Sequence, residues 1–227
     1  MQSPQTLDNL PFAAELRALP AGDGDGPAGL EIDGDYDRVL FSGSFADADA
    51  GGARFTECAF TSGAFDGGRL RRARLSDVWF GETRLVAVDL AESSLTDTWF
   101  SGCVFAGVQA FSTVARRVLF RNGKLDSVNF RGSKLTDVTF EDCVLRDVDF
   151  GSAKLTRVRF TGSTLLGTDF TRVECKDVDL RGARLGSADT PGIKAGYDSL
   201  GGVRIDSLQL MTLAPLLAQQ LGIRVTD

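Results

Sequence analysis

Every fifth residue of this chain is leucine or phenylalanine over most of its length, and neither a helix nor a straight strand can use that period. From Leu40 to Leu185 there are 30 such positions, and 26 of them hold Leu or Phe; the exceptions are Ala50, Ala110, Ala115 and Cys175. On an α-helix a five-residue step drifts about 140° around the axis each time, so no apolar stripe forms. On a straight strand residues i−2 and i share a face, but five is odd and the next repeat would flip sides. The conflict disappears if the chain turns a corner once per repeat. Residues i−2 to i then make a short strand, i+1 and i+2 make the bend, and successive coils stack into a solenoid.

A second period sets the number of sides. Leu75-Ser76-Asp77, Leu95-Thr96-Asp97, Leu135-Thr136-Asp137 and Leu155-Thr156-Arg157 echo one another at multiples of twenty residues, and Trp79 and Trp99 are also twenty apart. Twenty residues are four pentads, hence four sides to a coil. Two residues before each centre stands something small or β-branched, as at Gly123, Val128, Ser133, Val138 and Ala153. About seven and a half coils at ~4.8 Å each predict a rod ~36 Å long. Each inward Leu or Phe contributes ~1.5–3 kcal/mol gross on burial, so the columns form one continuous core.

Sustained from Tyr36 to Ser187, this pattern resembles the pentapeptide-repeat family. The resemblance implies an all-β solenoid, a right-handed quadrilateral β-helix, with a C-terminal α-helical cap. It divides the chain into an N-terminal segment (1–35), the repeat body (36–190), and a final partial coil with a C-terminal helix (191–227).

The ends depart from the repeat. Leu7 to Leu19 fits a short helix, and Ala21 to Gly29 (AGDGDGPAG) reads as a flexible acidic linker. Near the C-terminus the repeat lapses at Pro191 and Gly192 and resumes at Leu200 and Val203-Arg204-Ile205. Asp206 with Gln209 forms a capping-box pattern, Leu210, Leu213, Leu217 and Leu221 fall on one helical stripe, and Gly222 supplies a stop. Pro215 predicts a kink or two short helices. The helix either caps the last coil's open edge or, with Leu208, Met211 and Leu216 left over beside the stripe, joins two copies. A homodimer is expected, because related repeat proteins pair by their C-terminal ends.

The chain contains no histidine. That removes the commonest general base and metal ligand, and nothing nominates a catalytic residue, cofactor or metal; the expectation is a non-enzymatic protein. The four cysteines, Cys58, Cys103, Cys143 and Cys175, include no C-x-x-C pair and suit neither a zinc site nor a small disulfide scaffold. Cys103 and Cys143 should point inward on one face two coils apart, too far to bond. No apolar run reaches bilayer length, and the first residues lack the basic start and apolar stretch of a signal peptide, so the expected compartment is the cytoplasm, away from membranes.

In a solenoid, function lives in outward residues twenty apart, because these stack in columns. Trp79, Trp99 and Leu119 precede successive centres of one face and should form an exposed apolar ladder, unless the N-terminal segment or a partner subunit covers it. Asp77, Asp97, Asp137 and Asp177 share one edge, which Arg117 and Arg157 interrupt. Asp89, Asp149, Asp169 and Asp189 share another position. The best-characterised members of the family mimic duplex DNA and bind bacterial type II topoisomerases. The resemblance therefore implies a protein partner, DNA gyrase or topoisomerase IV, engaged through the acidic columns and shielded from inhibitors, with no direct binding of nucleic acid. The alternative is a scaffold for an unrelated partner held on the Trp79/Trp99 face. Charge separates the two. Residues 1–50 carry ten acids against two arginines, a net of −8, whereas the remainder carries 21 acids against 23 bases. Finally, Ala106 to Arg117 is the weakest stretch of the rod: with Ala110 and Ala115 at centres, either a loop bulges or Phe111 turns inward.

Overall fold

The corners are made by the backbone of the residue two past each centre. Along one edge, Glu57, Asp77, Asp97, Arg117, Asp137, Arg157 and Asp177 all adopt a left-handed conformation, with φ between 49° and 56°. Among side chains other than glycine, Asp and Asn tolerate this region best. The computed structural model describes Pro4, residues 6–18 and residues 29–224. It is a parallel-strand β-solenoid with a single C-terminal α-helix. Through most of the rod each strand pairs with the one twenty residues on, Leu75 with Leu95 and Leu135 with Leu155, so the four faces are those centred on Leu75, Phe80, Leu85 and Leu90.

The core is a set of columns running the length of the rod. On the Phe80 face, Phe41, Phe60, Phe80, Phe100, Phe120, Phe140 and Phe160 stack ring on ring, with centroids 4.5–5.0 Å apart and planes within 17° of parallel. This is the strand spacing made visible in side chains. The opposite face stacks Phe130, Phe150 and Phe170 at 5.6 and 5.3 Å. Leucines dominate the two faces between them, and the residues two before each centre fill the corners: Val78, Val118, Val138 and Val158 are buried.

The repeat is imperfect at its beginning. Tyr36 pairs with Phe55 and Phe41 with Phe60, a step of nineteen, so Phe41 and not Leu40 is the first centre of its face. The register recovers between Ser42 and Ser44, at Gly43. Leu40 consequently points outward. No bulge occurs at Ala110, and Phe111 does not turn in. Strand pairing of Val114–Arg121 with both neighbouring coils holds the register across the gap. Phe111 lies outside beneath the guanidinium of Arg71, 5.6 Å from its ring centre. Inside, the small side chains leave a void of about 10 Å³ bounded by Leu90, Leu95, Phe100, Ala110, Phe120 and Phe130.

All four cysteines are free thiols. Cys103 donates to the Phe80 carbonyl at 3.3 Å and Cys143 to that of Phe120 at 3.4 Å, one face and two coils apart. Burial pushes the Cys103 thiol up to about 12.

At the C-terminal end a loop through Pro191 lengthens the coil. Arg204 therefore stacks on Asp179, twenty-five residues earlier, and Ala195 takes the place beyond Asp169. Asp189 does not join the Asp169 column as its spacing suggests. Helix α1 spans Ser207–Gln220 as one continuous helix through Pro215, opened by the Asp206–Gln209 capping box. The expected division into two short helices at Pro215 does not occur, and the proline sits on the exposed side. Gln209 is buried and donates to the carbonyl of Ala183 at 2.7 Å and to that of Leu180, sealing the last coil. Leu213 is buried and Leu217 packs on the core, but Leu210 and Leu221 face solvent, so the predicted stripe is split between two sides of the helix.

The N-terminal segment is not the expected helix. It forms two 3-10 turns, Leu7–Asn9 and Ala13–Glu15, followed by strand β1 (Arg17–Ala18). Pro11, which lacks an amide donor, stands between the two turns. Strand β2 (Asp35–Asp37) opens the first coil, and β1 pairs in parallel with β3 (Val39–Ser44) through Arg17–Val39 and Ala18–Leu40. Residues 21–28 of the acidic linker lie outside the described residues.

Candidate functional site

On the Phe80 face the outward residues form one column: Leu40, Ala59, Trp79, Trp99, Leu119, Thr139, Arg159 and Asp179. It is apolar at the N-terminal end and polar at the other. The expected exposed ladder is largely covered. Trp79 is only 6% exposed, Leu119 is buried, and Trp99 is half-buried. The cover is the N-terminal segment: Leu10 and Phe12 are buried in a second apolar cluster with Ala59 and Trp79, and Leu7, Leu16, Leu40 and Trp99 pack around it. This cluster lies outside the coil, on the far side of the strand from the phenylalanine stack.

Gly81 is what lets Trp79 lie flat. A β-carbon at that position would collide with the six-membered ring of the indole. The indole Nε1 is buried and has no hydrogen-bond partner among the described residues. Beside it, Thr6, Leu7, Thr61, Trp79, Glu82 and Ser101 line an open cleft of about 260 Å³. Glu15 anchors the segment to the first coil through Arg38 at 2.8 Å, and Arg38 also binds Glu57 at 2.7 Å. Sequence reasoning found the column but neither Leu10 and Phe12 nor Gly81. The available signal was an apolar Leu-Pro-Phe run within an otherwise acidic segment.

The acidic edge is neutralised along most of its length. Arg117 binds Asp97 with nitrogen–oxygen distances of 2.5–2.6 Å, Arg157 binds Asp137 at the same distances, and Arg204 reaches Asp177 at 3.4 Å. Asp77 alone of the four has no arginine partner among the described residues. Burial, and then repulsion from Asp97 and Glu57, raises its carboxyl above the usual range. The hydrogen bond from Arg157 lowers that of Asp137.

The second acidic column serves the turns. Asp49, Asp89, Asp149 and Asp169 each accept the amide two residues on, at 3.1, 2.9, 2.7 and 2.8 Å, and the neutral Asn129 does the same at 3.0 Å. These are Asx turns. Both columns of acids thus answer local backbone demands. Among the described residues no group of three or more His, Cys, Asp or Glu is placed to hold a metal, and no helix is long and apolar enough to cross a membrane.

With the stacked coils in view, comparison with known proteins is decisive on one point. The family model described as a pentapeptide repeat region matches residues 53–130 and 114–190. The chain belongs to the pentapeptide repeat family. A search of the curated proteins finds no match. Among solved structures it is similar to a trypsin-treated variant of QnrB1, a plasmid-mediated fluoroquinolone resistance protein, at 20% identity over 86% of this chain and 100% of that one, with a TM-score of 0.45. It is also similar to HetL, a pentapeptide repeat protein involved in heterocyst differentiation regulation from Nostoc sp. strain PCC 7120. There the identity is 17% over 77% of this chain and 90% of that one, with a TM-score of 0.33. A pentapeptide repeat protein of the Arabidopsis thaliana thylakoid lumen matches at 24% identity over 48% of this chain and 72% of that one, with a TM-score of 0.34.

Proposed function

We propose that this pentapeptide repeat protein is a non-enzymatic protein-binding rod of the cytoplasm that holds its partner on the column of Trp79, Trp99 and Leu119. The observation that carries the reading is the contrast within that column. The same outward position is filled by Ala59 and Thr139 on neighbouring coils, so the fold does not require two tryptophans there. A few residues, enriched in Trp, Tyr and Arg, carry most of the energy in protein interfaces.

The acids are taken up within the coil, whereas the tryptophans meet residues from outside it, Leu10 and Phe12. Asp77, Asp97, Asp137 and Asp177 meet a left-handed corner, and three of the four are tied to arginines. A DNA mimic needs unbroken negative potential along the rod; here Arg117 and Arg157 interrupt the acids.

DNA gyrase is the partner to test first, because the best-characterised members of the pentapeptide repeat family bind bacterial type II topoisomerases. A supercoiling assay with the protein at micromolar concentration, with and without a quinolone, separates the readings. The expected result is no inhibition and no protection. Inhibition or protection that is lost in the D77N/D97N/D137N variant, and kept in W79A/W99A, would return the function to DNA mimicry of gyrase.

A further inference from the structure

Residues 6–18 cross the outer surface of the rod without belonging to any coil. They are held to it in three ways. Leu10 and Phe12, two residues apart, press onto Ala59 and Trp79. Glu15, three residues further, pairs with Arg38 across an ion pair whose side chains are 57% and 43% exposed. Arg17 and Ala18 add a two-residue strand to the edge of β3. Yet what the segment hides is the most apolar part of the column, together with an indole N–H that has no acceptor among the described residues. Beside it, the cleft at Thr6, Leu7 and Trp79 stays open to a volume of about 260 Å³.

We propose that residues 6–18 are an intrasteric cover, which occludes the docking column and yields to a partner segment of the same pattern. The chemistry of the seat, displayed by its own occupant, defines that partner. It is a stretch of a protein that crosses the column in short turns and ends in a strand, with two apolar residues two apart and a carboxylate three residues after the second. It adds a strand to β3 and presents the carboxylate to Arg38, a form of β-strand addition. This inference rests on the reading of the tryptophan column as the docking surface. It adds the gate and the ligand.

The chain has two tryptophans, Trp79 and Trp99, both in the column, so selectively excited tryptophan emission reports on this site alone. The test uses the full-length chain and its L10D/F12D variant, with E15R as a milder second variant that touches only the exposed ion pair. The probe is a labelled synthetic peptide of residues 4–18. With the cover destabilised, emission should shift to the red and acrylamide quenching should rise several-fold. The peptide should bind L10D/F12D and reverse the shift. It should bind the unaltered chain at least ~10-fold more weakly, because a tethered competitor holds a high effective concentration. Unchanged emission and quenching in both variants would overturn the cover. Increased exposure without peptide binding would overturn the proposed ligand. Peptide anisotropy on L10D/F12D carrying W79A/W99A distinguishes a deeper failure: undiminished binding there would mean that the tryptophan column is not the seat, and the functional reading itself would fall.

Discussion

The indole of Trp79 lies across the backbone of Gly81, two residues on in the same strand, and the absence of a side chain at Gly81 is what allows it. In the neighbouring coils that position holds Thr61 and Ser101. Gly81→Ala should lift the ring off the strand and dislodge Leu10 and Phe12. The expected cost is ~1–3 kcal/mol, in the range of an overpacked site. A thermal melt with tryptophan emission checks both effects, and a red-shifted native spectrum is the signature.

In the phenylalanine column, Phe120 is stacked between Phe100 at 4.8 Å and Phe140 at 4.9 Å. Phe120→Ala removes both stacking partners' contact and opens a cavity beside the existing void at Ala110. It should cost ~3–5 kcal/mol. Denaturant melts that show no loss would mean the column does not carry the fold.

Much of this was legible in the sequence. A five-residue period that no helix or straight strand can use left the four-sided coil as the solution, and the register at Leu75, Leu95, Leu135 and Leu155 follows it. The limits were local. Leu40 and Phe41 are adjacent and both apolar, so period alone could not show which turns in; a nineteen-residue first step decided it. The cover was harder still, because Leu10 and Phe12 belong to no repeat, and their contact with Trp79 is long-range. The stripe on α1 misled for a related reason: Gln209, a polar residue, takes a buried place against the coil's carbonyls, and this rotates Leu210 outward.

Asp77 and Asp137 stand in equivalent corners, yet they should respond oppositely to neutralisation. The Asp137 carboxyl is lowered by Arg157, so its contribution to stability is present above the ordinary aspartate range and is lost as pH falls through the folded value. The Asp77 carboxyl is raised by burial, so ionising it opposes folding, and that penalty vanishes below the ordinary range. At pH 7, Asp137→Asn should lower the melting temperature and Asp77→Asn should raise it slightly. Both differences should shrink towards zero as pH falls below the ordinary aspartate range, near ~4. Melts across that pH range provide the check.

Leu208, Leu210, Met211 and Leu221 are 51–73% exposed on and just beyond α1. We propose that the homodimer pairs through the side of α1 that carries Leu208 and Met211, with Leu213 left as part of the cap. Sedimentation should show a dimer for the unaltered chain and a monomer for L208D/M211D, with the far-ultraviolet dichroism of the coils unchanged. A monomer in both would leave α1 as a cap alone.

The central claim is that the tryptophan face carries a cover separable from the coil. Amide hydrogen exchange followed residue by residue tests it most directly. Leu10 and Ala13 donate to Leu7 and Leu10 at 3.1 Å within the segment's turns, and Arg17 donates to Arg38 at 2.9 Å across its edge. These amides should exchange through local opening, far faster than those of Val118 and Phe120, which should exchange only when the rod unfolds. Protection at Leu10, Ala13 and Arg17 equal to that of the phenylalanine column would make the segment part of the cooperative core and contradict the account.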